Sequence, residues 1–415
     1  MSRAAPRLQP CRACGAPLVE SVVDLGAQPL ANAMIPADAA DRMEPTYPLH
    51  AFVCSSCRLM QLVDYETPEA IFADYTYFSS FSDSWLDHAR GYCEVMARRL
   101  GLGPASKVVE IASNDGYLLR WFADAGIPVL GVEPAANVAA VALGRGIPTE
   151  VAFFGRDTAR RLKEAGHAAD LMAANNVLAH VPDINDFLAG FAVLLKPRGV
   201  ATFEFPHVLN LIGQVQFDTI YHEHFSYLSL AVVAGLLQRH GLEVFDVEEW
   251  PTHGGSLRVF ARPAGSAAEP ASPAVAAILA REAAAGLGGA EAYRAFGRRV
   301  VDVKANLLDF LVQAHRAGRS VVGYGAPAKG NTLLNYCGVG PEFVAYTVDR
   351  SPHKQGRLLP GTRIPVHAPE RIFETRPDYV LILPWNLRDE IAAQMAGIRD
   401  WGGRFVVPLP QIEVF

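Results

Sequence analysis

The stretch Val108-Val109-Glu110-Ile111-Ala112-Ser113-Asn114-Asp115-Gly116-Tyr117-Leu118-Leu119 reads as an apolar strand, an acidic residue, a turn and the start of a helix. Around it, residues 107–111, 129–132, 170–174 and 200–205 are short continuous apolar runs, the pattern of strands buried on both faces of a parallel sheet. A shorter run near 149–152 supplies the third of five strands. The segments between them are mostly long enough for crossover helices, so the spacing predicts a right-handed doubly wound α/β sheet. In such a sheet the turn after the first strand lies at the carboxyl edge, where ligands bind.

That turn carries one glycine, Gly116. A dinucleotide fingerprint needs three, for the tight turn and for approach of the pyrophosphate. A nucleoside ligand without phosphate needs only one close backbone approach, which Ala112, Ser113, Asn114, Gly116, Tyr117 and Leu118 offer beside Glu110. Glu133, followed by Pro134, ends the second strand, where a carboxylate accepts hydrogen bonds from both hydroxyls of a ribose. Asn175 and Asn176 end the fourth. Residues 242–249 and 255–261 are two further strands joined by Trp250-Pro251-Thr252-His253-Gly254, too short for a crossover helix, so they pair antiparallel at the sheet edge. With Leu195-Lys196-Pro197-Arg198-Gly199 before the fifth strand, this order resembles the methyltransferase variant of the fold. The ligand is then S-adenosylmethionine, which has no phosphate. An ordinary nucleotide-binding sheet is the competing reading.

Upstream lie two tight pairs, Cys11-Arg12-Ala13-Cys14 and Cys54-Ser55-Ser56-Cys57. A two-residue gap lets both sulfurs of a pair face one tetrahedral ion at roughly 2.3 Å. Four thiolates leave no open coordination position, so the expectation is a structural zinc that stabilises a segment too small to hold itself together. The bland alternative is two chance pairs of buried thiols, as Cys93 and Cys337 are expected to be.

After the fifth strand comes Tyr221-His222-Glu223-His224-Phe225-Ser226-Tyr227. The histidines are two apart, not four, so a His-Glu-x-x-His metal helix is absent. A histidine beside a carboxylate suits a general base working near neutral pH. Tyr75, Tyr77, Ser80 and Ser82 add hydroxyls from one segment, and His180 sits on the loop expected to cover the donor. For each residue alone, packing with one satisfied hydrogen bond explains it equally well.

The C-terminal part repeats the architecture on a smaller scale. A helix over 291–317 precedes parallel strands at 321–325, 343–349, 379–384 and 404–408. Val322-Gly323-Tyr324-Gly325-Ala326-Pro327-Ala328-Lys329-Gly330-Asn331-Thr332 runs from strand through a glycine turn into a helix. The free N–H groups of that helix start hold an anion, and Lys329 adds charge. It lacks the spacing and ending of a Walker loop. Asp349 and Lys354 follow the next strand. The division expected is 1–65, a four-cysteine module; 66–262, a catalytic domain; 263–290, a linker with or without a short helix; and 291–415, a second α/β domain.

Composition agrees. The 415 residues are half apolar and 19% charged, with a net charge of −6. A nucleic-acid binder normally shows a basic excess, and no apolar run approaches the roughly 20 residues of a membrane span. The first residues carry no apolar signal core, and paired cysteines in a reducing compartment favour metal over disulfides, so a cytoplasmic protein is expected. The self-contained sheets fit a monomer.

Taken together the chain resembles the sugar C-methyltransferases of deoxysugar biosynthesis, closest to the C-3′ type that acts on dTDP-linked 4-keto-6-deoxyhexoses destined for antibiotic glycosides. The resemblance spans nearly the whole chain. It rests on the four cysteines, the Ser-Asn-Asp-Gly turn at 113–116, the segment at 75–82, Tyr-His-Glu-His-Phe at 221–225 and Gly-Tyr-Gly-Ala-Pro-Ala-Lys-Gly-Asn at 323–331. Ala112 departs from the glycine such turns often carry. The resemblance implies His224 as base, Glu223 orienting it, and Tyr221 with Tyr75 or Tyr77 at the enolate oxygen; spacing does not separate the last two. It places the sugar nucleotide between the two α/β domains, its pyrophosphate near Lys329 and Asn331, with Ser80, Ser82, Thr332, Asp349 and Lys354 nearby. Methylation at C-5, an O- or N-methyltransferase, a nicotinamide dehydrogenase and a non-catalytic zinc protein that binds a nucleotide sugar are the competing readings.

Overall fold

The computed structural model describes residues 9–65, 80, 83–266 and 270–415. The chain opens with β1 (Glu20–Gln28), β2 (Ile35–Pro36), β3 (Tyr47–Val53) and β4 (Met60–Leu62). The central part contributes β5 (Val108–Ile111), β6 (Val129–Val132), β7 (Thr149–Glu150), β8 (Ala169–Asn175), β9 (Leu195–Pro206), β10 (Ser226–Tyr227), β11 (Leu242–Trp250) and β12 (Ser256–Pro263). Seven of these form one sheet in the order β11-β12-β9-β8-β5-β6-β7. β5 to β9 run parallel, and β12 is antiparallel to both β9 and β11. Every residue of β5 and β6 is buried, which is why these runs have no polar alternation. β5 pairs with β6 on one side and β8 on the other, so the strand order reverses there and the ligand crevice opens at its carboxyl end.

The second sheet is larger than the four strands expected. β13 (Val321–Tyr324), β14 (Thr347–Val348), β16 (Val366–His367), β17 (Tyr379–Ile382), β18 (Arg404–Val407) and β19 (Glu413–Val414) lie in the order β16-β14-β13-β17-β18-β19. The strand expected over 343–349 shrinks to β14, because Phe343 and Val344 both donate their N–H to the Gly340 carbonyl in a turn. The last strand, β19, is antiparallel to β18.

The cysteine-bearing segment does not stand apart. β1, β3 and β4 form an antiparallel sheet whose fourth member is β10, the two residues that follow Phe225. β2 pairs with β15 (Arg357–Leu358) of the C-terminal part. The helix Glu291–Arg316 buries Tyr293, Phe296, Val300, Leu307 and Leu311 in one core with Val22, Val23 and Leu25 of β1. At Gly297 a Cβ would collide with the Val22 carbonyl, so glycine sets how closely that helix lies on β1. Residues 263–290 hold the helix Pro273–Ala284, and its Glu282 accepts from the N–H groups of Leu230 (2.5 Å) and Ala231 (2.9 Å), capping the helix Leu230–Arg239.

Candidate active site

At the carboxyl end of β5 the chain enters left-handed backbone twice, at Ala112 (φ 53°) and Asn114 (φ 51°), before Gly116 (φ 77°). Ala112 thus occupies the conformation glycine adopts at no steric cost. Glu133, at the end of β6, fixes the turn. Its Oε2 accepts from Asn114 N at 2.9 Å and its Oε1 from Ala135 N at 2.8 Å. Each carboxylate oxygen keeps a free lone pair for a ribose hydroxyl. Burial lifts the Glu133 carboxyl and lifts that of Glu110, at the foot of the turn, well above the usual range. Ser113 Oγ, Asn175 Oδ1 and Asn176 Oδ1 are buried with no hydrogen-bond partner at the ends of β5 and β8. Buried polar atoms left unpaired need a partner, and a polar nucleoside with an amino-acid tail supplies one. Tyr117 and Leu118 are buried behind them, and Pro134 is half-buried beside Glu133.

Ser80, expected at the substrate, bonds instead to Asp115 Oδ2, where Arg145 Nη1 also donates at 3.0 Å. A carboxylate with no exposed surface takes whatever donors surround it, and Ser80 is one of them. Tyr75, Tyr77 and Ser82 lie outside the described residues.

The loop 221–225 brings the imidazoles together. His224 Nδ1 lies 2.7 Å from the Thr219 carbonyl, and His180 Nδ1 lies 2.8 Å from the Glu223 carbonyl. A carbonyl has no proton, so in both rings Nδ1–H donates, and His224 Nε2 has no hydrogen-bond partner among the described residues. The two rings stand 4.7 Å apart, and the Tyr221 ring is 3.9 Å from His224. Burial, then the neighbouring His180, holds His224 well below the ordinary histidine range; burial brings His180 down to about 4. Both are neutral at pH 7.

Glu223 does not orient the His224 ring, as the sequence suggested. Its two oxygens accept from Asn32 Nδ2 at 2.7 and 2.9 Å. Adjacent residues on a turn point apart, and the Thr219 carbonyl takes the orienting role. Neither residue had a signal in the sequence. His222 packs edge-on against Tyr47 and reaches the Pro48 carbonyl, a structural role.

The hairpin turn between β11 and β12 adds a third imidazole that the sequence reading treated only as a connector. His253 has φ 54°, and its Nε2 lies 3.1 Å from Asn176 Nδ2. A left-handed non-glycine residue is a strained one. Beneath it, Glu204 at the end of β9 is gripped by His88 (2.9 Å) and Arg258 (2.8 Å), and Thr252 donates to it at 3.2 Å. Burial alone would raise Glu204; His88 and Arg258 outweigh it and hold the carboxylate ionised.

From the C-terminal domain, Lys329 Nζ donates to Asn386 Oδ1 at 2.7 Å and lies 4.4 Å over the Trp385 ring. Trp385 Nε1 donates to Asp218 Oδ2 at 2.7 Å. Burial raises Asp218 to about 6 and lowers Lys329. Asn331 and Thr332 were expected at the substrate, but they staple the domains: Asn331 Nδ2 donates to the Ala31 carbonyl (2.7 Å) and Thr332 Oγ1 to the Ile220 carbonyl (3.1 Å). Asp349 and Lys354 brace the glycine turn. Asp349 accepts from Ala326 N and Ser351 N, both at 2.8 Å, and Lys354 donates to the Ala326 carbonyl at 2.9 Å.

The four cysteines converge. The sulfurs of Cys11, Cys14, Cys54 and Cys57 all lie within 4.8 Å of one another. Four thiolates about 2.3 Å from one ion would stand roughly 3.8 Å apart, and the Cys11–Cys57 and Cys14–Cys54 separations are both 3.5 Å. The set fits a closed, structural zinc. Among the described residues, no helix is long and apolar enough to cross a membrane.

Comparison with known proteins gives the arrangement its relatives. Residues 11–72 match a family model described as a zinc binding domain, 84–247 a methyltransferase domain and 251–410 a C-methyltransferase C-terminal domain. The C-methyltransferase NovU of Streptomyces niveus is 39% identical over 404 residues, 97% of this chain and 96% of that one. A ubiquinone biosynthesis O-methyltransferase of Rhodopseudomonas palustris is 27% identical over 23% of this chain and 37% of its own. A solved S-adenosylmethionine-dependent methyltransferase from Mesorhizobium loti covers 43% of this chain and 99% of its own at 19% identity, with a TM-score of 0.34. Since the likeness to NovU runs from the zinc module through the C-terminal domain, this chain belongs to the S-adenosylmethionine-dependent sugar C-methyltransferase family.

Proposed function

We propose that the enzyme methylates carbon 3 of a dTDP-linked 4-keto-6-deoxysugar, with His224 as the base. The observation that carries this reading is the bare Nε2 of His224. Its other nitrogen is pinned to a backbone carbonyl, and the ring is neutral at pH 7. Carbon is not a nucleophile until a C–H proton leaves, and a C-4 ketone acidifies the C–H on C-3. His224 Nε2 takes that proton, and the electron pair moves onto the ketone oxygen as an enolate. Tyr221, whose ring lies 3.9 Å from that of His224 at a tilt of 34°, is the residue assigned to donate to that oxygen, as preorganised donors stabilise developing charge. S-adenosylmethionine supplies the electrophilic methyl when bound, held by the turn at 112–116 and Glu133. The rest of the task is alignment of the two partners.

Lys329 and the helix start at Ala328–Cys337 suit the diphosphate of the sugar nucleotide. Positive charge there is also consistent with His224, which Lys329 helps keep neutral.

The test is a panel of dTDP-4-keto-6-deoxysugars incubated with S-adenosylmethionine, followed by mass spectrometry and by NMR placement of the new methyl. A second arm omits the donor and runs in heavy water, where the enzyme should exchange one acidic C–H of its substrate for deuterium. A methyl on oxygen or nitrogen with no exchange would sink the carbanion reading. A methyl on C-5, the other carbon flanking the ketone, would keep His224 as base and move the acceptor.

A further inference from the structure

Two side chains carry the position of the zinc knuckle to the segments that hold the imidazoles. Gln61, on β4 and 1% exposed, donates from Nε2 to Cys11 Sγ at 3.1 Å and accepts from Arg12 N at 2.9 Å. Its backbone faces Ser226 across the β4–β10 ladder. Arg12 stands between the first two cysteines, and its side chain is 7% exposed. Nη1 donates to the Pro182 carbonyl at 2.9 Å, and Nη2 to the Leu62 carbonyl at 2.7 Å and to Asp64 Oδ1 at 2.6 Å. The same guanidinium lies 5.2 Å over the Phe225 ring. Leu62 N in turn donates to the Phe225 carbonyl at 3.0 Å.

Pro182 is two residues beyond His180, and Phe225 is next to His224. One planar cation therefore touches both segments whose imidazoles stand 4.7 Å apart. The knuckle end of the bridge is fixed as well. Asn185 Nδ2 donates to the Arg12 carbonyl at 2.9 Å, and Arg239 Nη1 to the Ala13 carbonyl at 2.8 Å.

We infer that Arg12 is a positioning residue for the reaction: the zinc knuckle presents it so that its guanidinium sets the spacing of His180 and His224. A rigid fork with five donors spans two carbonyls, a carboxylate and a ring face together; a lysine ammonium is a single point and does not. This gives the zinc module a part in the chemistry although a closed four-thiolate set has no open position for a reactant. The role in catalysis rests on His224 being the base.

The experiment uses the full zinc-loaded chain with Arg12→Lys and Arg12→Ala. Zinc per chain, S-adenosylmethionine affinity by calorimetry, and kcat and KM with the acceptor sugar that the panel identifies are measured. The Nδ1–H resonance of His224 is followed in protein labelled with 15N-histidine and is assigned by its absence in His224→Asn. Zinc content and donor affinity should stay within about twofold, while kcat falls about 10²-fold in both variants, the scale of a small misplacement of reacting groups. The His224 resonance should shift or broaden. An unchanged resonance with unchanged kcat overturns the inference. So does restoration by lysine, or a loss of zinc and donor affinity in step with kcat, since either marks Arg12 as a fold-holding residue only. If the wild-type chain exchanges no sugar C–H, the base assignment fails, and the resonance still decides whether Arg12 positions the ring.

Discussion

Asn32 donates to both carboxylate oxygens of Glu223, at 2.7 and 2.9 Å, from a turn whose preceding residue, Ala31, accepts from Asn331 of the C-terminal domain. One turn of the N-terminal module thus ties the 221–225 loop to the helix Ala328–Cys337. Glu223 is buried, and burial raises its pKa while Asn32 pulls it back. Asn32→Ala leaves a buried carboxylate without its donor, which costs about 1–3 kcal/mol. The pH dependence has a definite sign. An acid whose folded pKa exceeds its unfolded one binds more protons when native, so stability falls as pH rises from the ordinary carboxylate range through the raised value. The mutation removes the term that lowered the pKa, so its deficit grows with pH. Thermal melts of both proteins across mildly acid to neutral pH check this; a deficit constant in pH would show that Glu223 is protonated throughout.

His224→Asn keeps a donor for the Thr219 carbonyl and deletes the proposed base. Turnover should fall about 10²–10⁴-fold, the range for loss of a positioned general base, while S-adenosylmethionine binds as before. The wild-type enzyme should also have an unusual acid limb. The proposed mechanism uses a neutral imidazole, and burial with His180, His253 and Lys329 around it keeps the His224 pKa well below 6.5. The rate, kcat/KM against pH, should therefore stay flat through neutrality and fall only in acid. A limb at or above the ordinary histidine pKa would mean that another group limits the reaction.

The first sheet, its antiparallel edge pair and the zinc ligands were legible because each has a local signature: continuous apolar runs, a connection too short for a crossover, and two-residue cysteine gaps. The strand-turn-helix at 108–119 was legible from pattern as well, whereas the choice of His224 within the 221–227 cluster came from the family resemblance. What was not legible were the partners. Glu223 and Asn32 are 191 residues apart, and His224 is held by a carbonyl, a group every residue owns. Asn331 and Thr332 have polar side chains beside a glycine turn, which is as good a description of an interdomain staple as of a ligand site. His253 was hidden because a histidine in a hairpin turn has no spacing rule; only its left-handed φ and its reach to Asn176 reveal it. The strand expected over 343–349 failed for a related reason, since apolar composition does not distinguish a turn that packs inward.

The zinc should matter to turnover through β4. Cys54 and Cys57 lie in the turn that leads into that strand, and Cys54 Sγ accepts from the N–H groups of Ser56 (3.4 Å) and Cys57 (3.5 Å). Cys54→Ser, or a strong chelator, should release the metal and loosen the β4–β10 ladder that frames Phe225 and Ser226. A closed four-thiolate site contributes folding energy and no open position for catalysis. The expected result is a lower melting temperature and strongly reduced methyl transfer, with the residual product methylated at the same carbon. Full activity in protein shown to be metal-free would contradict it.

Gly131 sits in β6 directly across from the donor turn, and its lack of a side chain is what lets Ser113 pack there. A Cβ at 131 would come within 2.9 Å of Ser113 Cβ and 3.1 Å of Thr149 Oγ1, and closer still to Ser113 Oγ. Ser113 is fully buried, so it has nowhere to go except into the turn that Glu133 holds through Asn114. Overpacking of this kind costs about 1–3 kcal/mol. Part of that cost falls on the ligand, because the displaced serine carries the turn with it. Gly131→Ala should therefore weaken S-adenosylmethionine about tenfold by calorimetry and lower the melting temperature. Gly144→Ala is the control: it lies at the end of the helix Ala136–Gly144 with nothing within 4 Å of a new Cβ, and it should bind the donor normally. If Gly131→Ala bound the donor as tightly as that control, the donor turn would not be where the orphaned Ser113 and Asn175 oxygens put it.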